Sequence, residues 1–191
     1  MSIRRALPSD AASLAAVHVR SWRAAYRGLV PDPYLDGLDV AERAEVWRER
    51  LAGPGAPVVT VAEDEGGAMT AFSSFRAWPA DAETADGSGG RGGEPLVPSA
   101  TAELSALYAV PEAWGRGVGR ALLAATVDGM REAGFREAGL WVFEENPRAR
   151  AFYERAGWRP DGTAVTEDTG GRLLTELRYG ITLFTEPLSA S

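Results

Sequence analysis

An α/β fold, α+β in the way its strands follow one another, is predicted by three observations on this 191-residue sequence. An apolar strand runs into the glycine-rich turn at residues 115–119 and out into a helix. A second apolar strand at residues 140–143 follows that helix, and a crossover helix makes such strands parallel neighbours. Hairpin turns stand on either side of this unit, at Glu65-Gly66-Gly67 and at Asp168-Thr169-Gly170-Gly171. With two amphipathic helices ahead of the first hairpin, the predicted order is β-α-α-β-β-β-α-β-α-β-β.

Each element has its own warrant. Ile3 to Ala6 forms a short first strand, and Pro8-Ser9-Asp10 signals a helix start. Leu14, Val17, His18, Ser21, Trp22 and Ala25 then share one helical face. Residues 26–38 hold Gly28, Pro31, Pro33 and Gly37 and read as loop. A second helix begins at Asp39, where Asp39 and Glu42 form a capping-box-like pair and Val40, Ala44, Trp47 and Leu51 recur at helical spacing. Residues 58–62 and 68–78 form the first hairpin. From 79 to 99 the composition falls to Gly, Ala, Asp, Pro and Ser, which predicts a flexible insertion. Residues 102–110 suit a central strand and 118–133 the crossover helix. Thr163 to Glu167 pairs with a last strand whose odd positions, Leu173 to Leu183, predict one buried face. Residues 185–191 are left as a tail.

The central turn is where a protein would hold a pyrophosphate. Glycines at 115, 117 and 119 remove the Cβ atoms that keep a ligand from the backbone, at the positive end of a helix dipole. A nucleoside-triphosphate loop would end in Gly-Lys-Ser/Thr, but Gly119 is followed by Arg120 and Ala121. A dinucleotide fingerprint needs Gly-x-Gly-x-x-Gly near the start of a domain, and here the spacing and the place both differ.

A second motif follows the next strand. Asn146 reads as an N-cap, Pro147 suits the first helical position, and Gly157 suits the left-handed position after the helix. Ala149, Phe152, Tyr153 and Ala156 between them make one inward face. Together the two motifs resemble the GNAT superfamily of acetyl-CoA-dependent N-acetyltransferases. That pattern is Gln/Arg-x-x-Gly-x-Gly/Ala opening a helix, then Asn-x-x-Ala-x-x-Phe-Tyr-x-x-x-Gly-Phe beyond a strand. The sequence matches at Gly117, Gly119, Asn146, Ala149, Phe152, Tyr153 and Gly157, and departs with Trp114 for Gln/Arg and Trp158 for Phe.

The resemblance implies a mixed, mostly antiparallel sheet with helices on both faces, splayed where its two central strands part to admit the cofactor. It implies one N-acetyltransferase domain over residues 1–191, moving an acetyl group from acetyl-CoA to a primary amine by direct attack. Tyr153 is then the acid for the coenzyme A thiolate, and Glu103, acting through water, the base. Main-chain groups of Tyr108, Ala109 and Val110 are expected to pair with the pantetheine arm, with Asn146 as a further partner. The turn from Gly115 through Arg116, Gly117, Val118, Gly119 and Arg120 takes the pyrophosphate, and Arg148 adds positive charge. Trp22, Tyr26 and Tyr34 flank the loop that helps wall the acceptor site. His18, on an apolar helix face with Trp22, reads as a core or cleft histidine rather than a catalytic one.

Composition narrows the rest. Without cysteine and with a single histidine the chain has no thiolate chemistry and no histidine-rich metal site, so no metal is expected. The net charge of -7 argues against a nucleic-acid surface and favours cationic partners. The absence of a long apolar run or secretory segment predicts a cytoplasmic protein that does not enter membranes. Small-molecule and peptide amines both remain open as acceptors, and relatives commonly form homodimers. The competing reading is a non-catalytic acyl-CoA-binding sensor or interaction module.

Overall fold

The computed structural model describes residues 1–53, 55–79 and 100–184. Apart from Pro79, the predicted insertion and the tail lie outside the described residues. Seven strands form one sheet in the order β1-β2-β3-β4-β5-β7-β6. They are β1 (Ser2–Arg5), β2 (Val58–Glu63), β3 (Met69–Ala77), β4 (Thr101–Ala109), β5 (Glu137–Phe143), β6 (Arg159–Thr169) and β7 (Arg172–Thr182). Neighbours are antiparallel except β4 and β5, which the helix α4 (Val118–Glu132) connects as a parallel pair.

That parallel pairing is short. Thr101 faces Glu137, Ala102 faces Ala138 and Glu103 faces Gly139, after which the ladder ends although β4 runs on to Ala109 and β5 to Phe143. The sheet therefore forks at its centre. A bulge at Ser105, where β4 carries an extra residue against β3, falls just past the last rung. Bulges bend a strand and increase its twist, which here accompanies the parting of β4 from β5.

Helices cover both faces. Phe72 of β3 meets Trp47 of α3 (Val40–Ala52) edge-on at 5.1 Å and His18 of α1 (Ala11–Ala25) at 6.2 Å. On the other face Ser73 bonds Thr126 of α4, and Phe75 lies beneath Gly129. Local chemistry sets the helix ends as the residues predict: Asp39 accepts from the Glu42 N–H at 2.9 Å, and Asn146 from the Ala149 N–H at 3.0 Å, starting α5 (Pro147–Arg155). Gly157 takes φ 93° after α5, a conformation that costs glycine little.

Several expectations need correction. Residues 26–38 are not all loop, because Asp32–Asp36 forms a short helix, α2, started by Pro31 and Pro33 and ended at Gly37. Ala25, Val40 and Ala156 are exposed, so the predicted faces of α1, α3 and α5 are each shorter by one residue. The last strand does not alternate as predicted. Leu173 is 70% exposed, while Leu174, Glu176 and Arg178 are buried. β7 lies between β5 and β6, with Leu177, Tyr179 and Ile181 packed into one cluster and Leu174 into another, so a one-face reading fails.

Candidate active site

The turn before α4 is built from backbone. Pro111–Ala113 makes one 3-10 turn, and Gly115 and Gly117 then adopt φ 72° and 82°. An added Cβ at either glycine would meet nothing within 4 Å, so both face open space. Gly117 is the N-cap residue and, among the described residues, no side chain caps the helix; the first α4 bond runs from the Ala121 N–H to the Gly117 carbonyl at 3.0 Å. The first-turn amides are thus left for an outside acceptor. Arg116 and Arg120 are exposed beside them.

Trp114, the departure from the family pattern, has a defined place. Its indole N–H donates to the Ala109 carbonyl at 2.8 Å, and the Arg148 guanidinium lies over its ring, 3.9 Å from the centroid. The tryptophan ties the glycine turn back to β4 and across to the first turn of α5. Arg148 is therefore held by stacking beside the turn. Arg150, two residues further on, bonds the Glu144 carbonyl and the Tyr179 hydroxyl.

Beyond Glu103 the fork opens into a cavity of about 110 Å³. Residues 104–108 of β4 form one wall and residues 141–143 of β5 the other, with Asn146, Ala149 and Tyr153 from the α5 side. Tyr153 packs its ring on Phe152 and Trp158 at 5.1 and 6.1 Å. Burial, and secondarily Tyr108, push its phenol above the usual tyrosine range, so it stays protonated at neutral pH. Asn146 serves twice, as helix cap and as cavity wall.

The other expected residues divide. Trp22 and Tyr26 line the cavity, their rings 4.9 Å apart, and Tyr108 lines it from β4. Tyr34 does not; it lies under the β6–β7 turn, where a Cβ on Gly170 would come within 2.6 Å of its own Cβ. The Val110 N–H is engaged by the Thr70 carbonyl at 2.9 Å. Glu103, 2% exposed, accepts from Arg76 Nε at 2.8 Å and sits at the last rung, behind the cavity wall. Sequence reasoning missed Trp141, Phe143 and Glu176, which also line the cavity. No local signal marks Glu176, which shares its strand with Arg172 and Arg178.

A second cavity, about 250 Å³, adjoins the first along Ser105, Ala106 and Tyr108, and His18 lines it. Burial, followed by the charges of Arg43 and Arg50, lowers the imidazole from 6.5 to about 3, so His18 is neutral at physiological pH. Among the described residues no cluster could hold a metal ion, and no helix is long and apolar enough to cross a membrane.

Comparison with known proteins adds a second line of evidence. A family model described as the acetyltransferase (GNAT) family matches residues 20–158. An uncharacterized N-acetyltransferase, YuaI of Bacillus subtilis, is 34% identical over 148 residues, which is 77% of this chain and 74% of that protein. Among solved structures, ribosomal-protein-alanine N-acetyltransferase from Brucella melitensis superposes with a TM-score of 0.70 at 22% identity, covering 95% of this chain and 99% of the other. The PaiA N-acetyltransferase of Thermoplasma acidophilum, in complex with coenzyme A, gives 0.71 at 18% identity, covering 95% and 98%. Likeness at those identities speaks for a shared fold.

Proposed function

We propose, on the premise that this chain belongs to the acetyltransferase (GNAT) family and is an acyl-CoA-dependent N-acetyltransferase, that the forked cavity is where it acetylates a primary amine, with Tyr153 as acid and Glu103 as base. The observation carrying this reading is the coincidence of three features at one place. They are a strand edge that no longer pairs with β5 past Glu103, a glycine turn with open space at Gly115 and Gly117, and a protonated phenol on the cavity wall.

The residues present fit acetyl-CoA. In this reading the uncapped start of α4, from Gly115 to Arg120, holds the pyrophosphate by its amides, and Arg148 adds charge at the side of the turn. The β4 edge through Tyr108 and Ala109, together with Asn146, holds the pantetheine arm in the manner of an added strand. Val110 closes that edge, its N–H engaged by the Thr70 carbonyl and its own carbonyl accepting from the Ala113 N–H at 2.9 Å. Acetyl-CoA supplies an electrophilic thioester carbonyl and a sulfur leaving group that needs a proton.

The chain's own groups meet the proton requirements. An acceptor must attack as a neutral amine, and reference pKa values of about 10.4 for lysine and 7.7 to 8.0 for an α-amine make a base valuable. Glu103 fills that role through water: it is the carboxylate at the closed end of the fork, held in place by Arg76. Tyr153 gives its proton to the departing sulfur, a task suited to a phenol that burial keeps protonated. Trp22 and Tyr26 wall the acceptor side, and Tyr34 supports that wall from beneath the late hairpin.

Tyr153→Phe tests the assignment. It should lower kcat by about a hundredfold, the usual scale for losing a positioned acid, with the KM for acetyl-CoA little changed. Turnover equal to wild type across pH would remove Tyr153 from the mechanism.

A further inference from the structure

The acceptor side of the cavity contains a carboxylate that the scheme above does not use. Glu176 is 7% exposed and lines the same space as Tyr153 and Asn146. It stands opposite Phe143 in the β5–β7 ladder, between Leu174 and Arg178 on one face of its strand. Arg178 directs its Nε to Asp161 at 2.6 Å, and its guanidinium lies about 6.0 Å from the Trp141 ring centroid. Glu103, by contrast, faces Arg76 and lies outside the cavity wall.

The surroundings of Glu176 are aromatic. Trp22, Tyr26, Trp141 and Phe143 line the cavity with it, and Tyr26 meets Phe143 at 90° with centroids 5.3 Å apart. Ring faces attract cations and repel anions, while a carboxylate drawn out of water gains most from a positive partner. Both features select the same kind of guest.

We infer that Glu176 docks the acceptor as its ammonium ion, and that the acceptor is a primary amine carried on an apolar or aromatic stem. This rests on the acetyl-transfer reading for its consequence in turnover but not for the binding itself. Docking is distinct from deprotonation: Glu176 holds the ammonium beside Tyr153, one proton passes through water to Glu103 before the neutral amine attacks, and the second, shed as the amide forms, replaces the proton that Tyr153 gives to the sulfur. Glu176 is a positioning residue whose removal appears in acceptor affinity before it appears in kcat.

The test uses the full chain with 2-phenylethylammonium as probe and 2-phenylethanol as its uncharged counterpart, each titrated by quenching of tryptophan fluorescence. Wild type should prefer the ammonium. Glu176→Gln should weaken it by about tenfold or more, the scale of one charge-assisted hydrogen bond, and leave the alcohol unchanged. Unchanged coenzyme A affinity in that variant reports an intact fold, and Glu176→Asp, which keeps the charge, should restore the preference. Glu103→Gln should bind the ammonium as wild type does. Equal binding of ammonium and alcohol by wild type, or undiminished ammonium binding by Glu176→Gln, overturns the inference. Amine-dependent thiol release is measured alongside. Ammonium binding without release would sink the acetyl-transfer reading and leave docking intact, whereas release with an unaltered amine KM in Glu176→Gln would do the reverse.

Discussion

The two ends of the forked cavity are made of different material. At the α4 end, the proposed cofactor cradle is backbone: two left-handed glycines, an uncapped helix start and an unpaired strand edge. At the acceptor end the walls are side chains from well-separated segments, with Trp22 and Tyr26 from the first helical region, Trp141 and Phe143 from β5, and Glu176 from β7. Backbone recognition suits a partner that never changes. A wall of side chains can be exchanged one residue at a time, and so can specialise.

The sharpest way to break the contrast is at Gly117. Gly117→Glu forces an L residue to φ 82° and sets a carboxylate at the positive end of α4. Coenzyme A affinity by calorimetry should fall by at least about a hundredfold, nearly 3 kcal/mol, while the ammonium probe still binds. Loss of both would mean that the two ends are one unit.

A smaller effect is expected at the closed end of the fork. A Cβ on Gly139 would lie 2.4 Å from Trp78 Cζ3, and Trp78 is buried at 4% exposure. Gly139→Ala should therefore cost about 1–3 kcal/mol of stability, as overpacked cores do, measured by urea unfolding. A neutral result would show that Trp78 can shift and that the last rung is softer than its packing suggests.

The smallest effect lies behind the acceptor wall, at His18. Its imidazole titrates near 3 when folded against 6.5 as reference, so below pH 6.5 the unfolded chain binds more protons. The stability it contributes is complete above 6.5 and declines as the pH falls toward 3. From pH 6.5 to 5.5 the loss should be about 1 kcal/mol, and His18→Phe, set among Trp22, Trp47, Phe72 and Tyr108, should remove that part of the slope. An unchanged slope would place the acid sensitivity elsewhere.

The same contrast explains what could be read before the fold was known. Gly115, Gly117 and Asn146 declare themselves because a left-handed turn or a helix cap is a local demand that few residue types satisfy. Four helices and seven strands were legible for this reason, with boundaries moved by a few residues. α2 was not, because a helix of five residues sits inside a Pro- and Gly-rich segment that reads as loop. Glu176 and Trp141 could not be found, since their meeting with Trp22 depends on β7 inserting between β5 and β6. Trp114 was visible as a departure, but its meaning needed Arg148, 34 positions later, lying on its ring.

The fork has a consequence for the protein in a crowded solution. Past Glu103, β4 carries an unpaired strand edge, and such an edge on a protein's perimeter is an invitation to aggregate. Here that edge is in the middle of the sheet, with β5, β7 and β6 beyond it and the cavity alongside. Flanked by strands of its own sheet, the edge is not presented on the perimeter to the strands of other molecules. The molecule thus keeps a β edge inside its own sheet rather than on its perimeter.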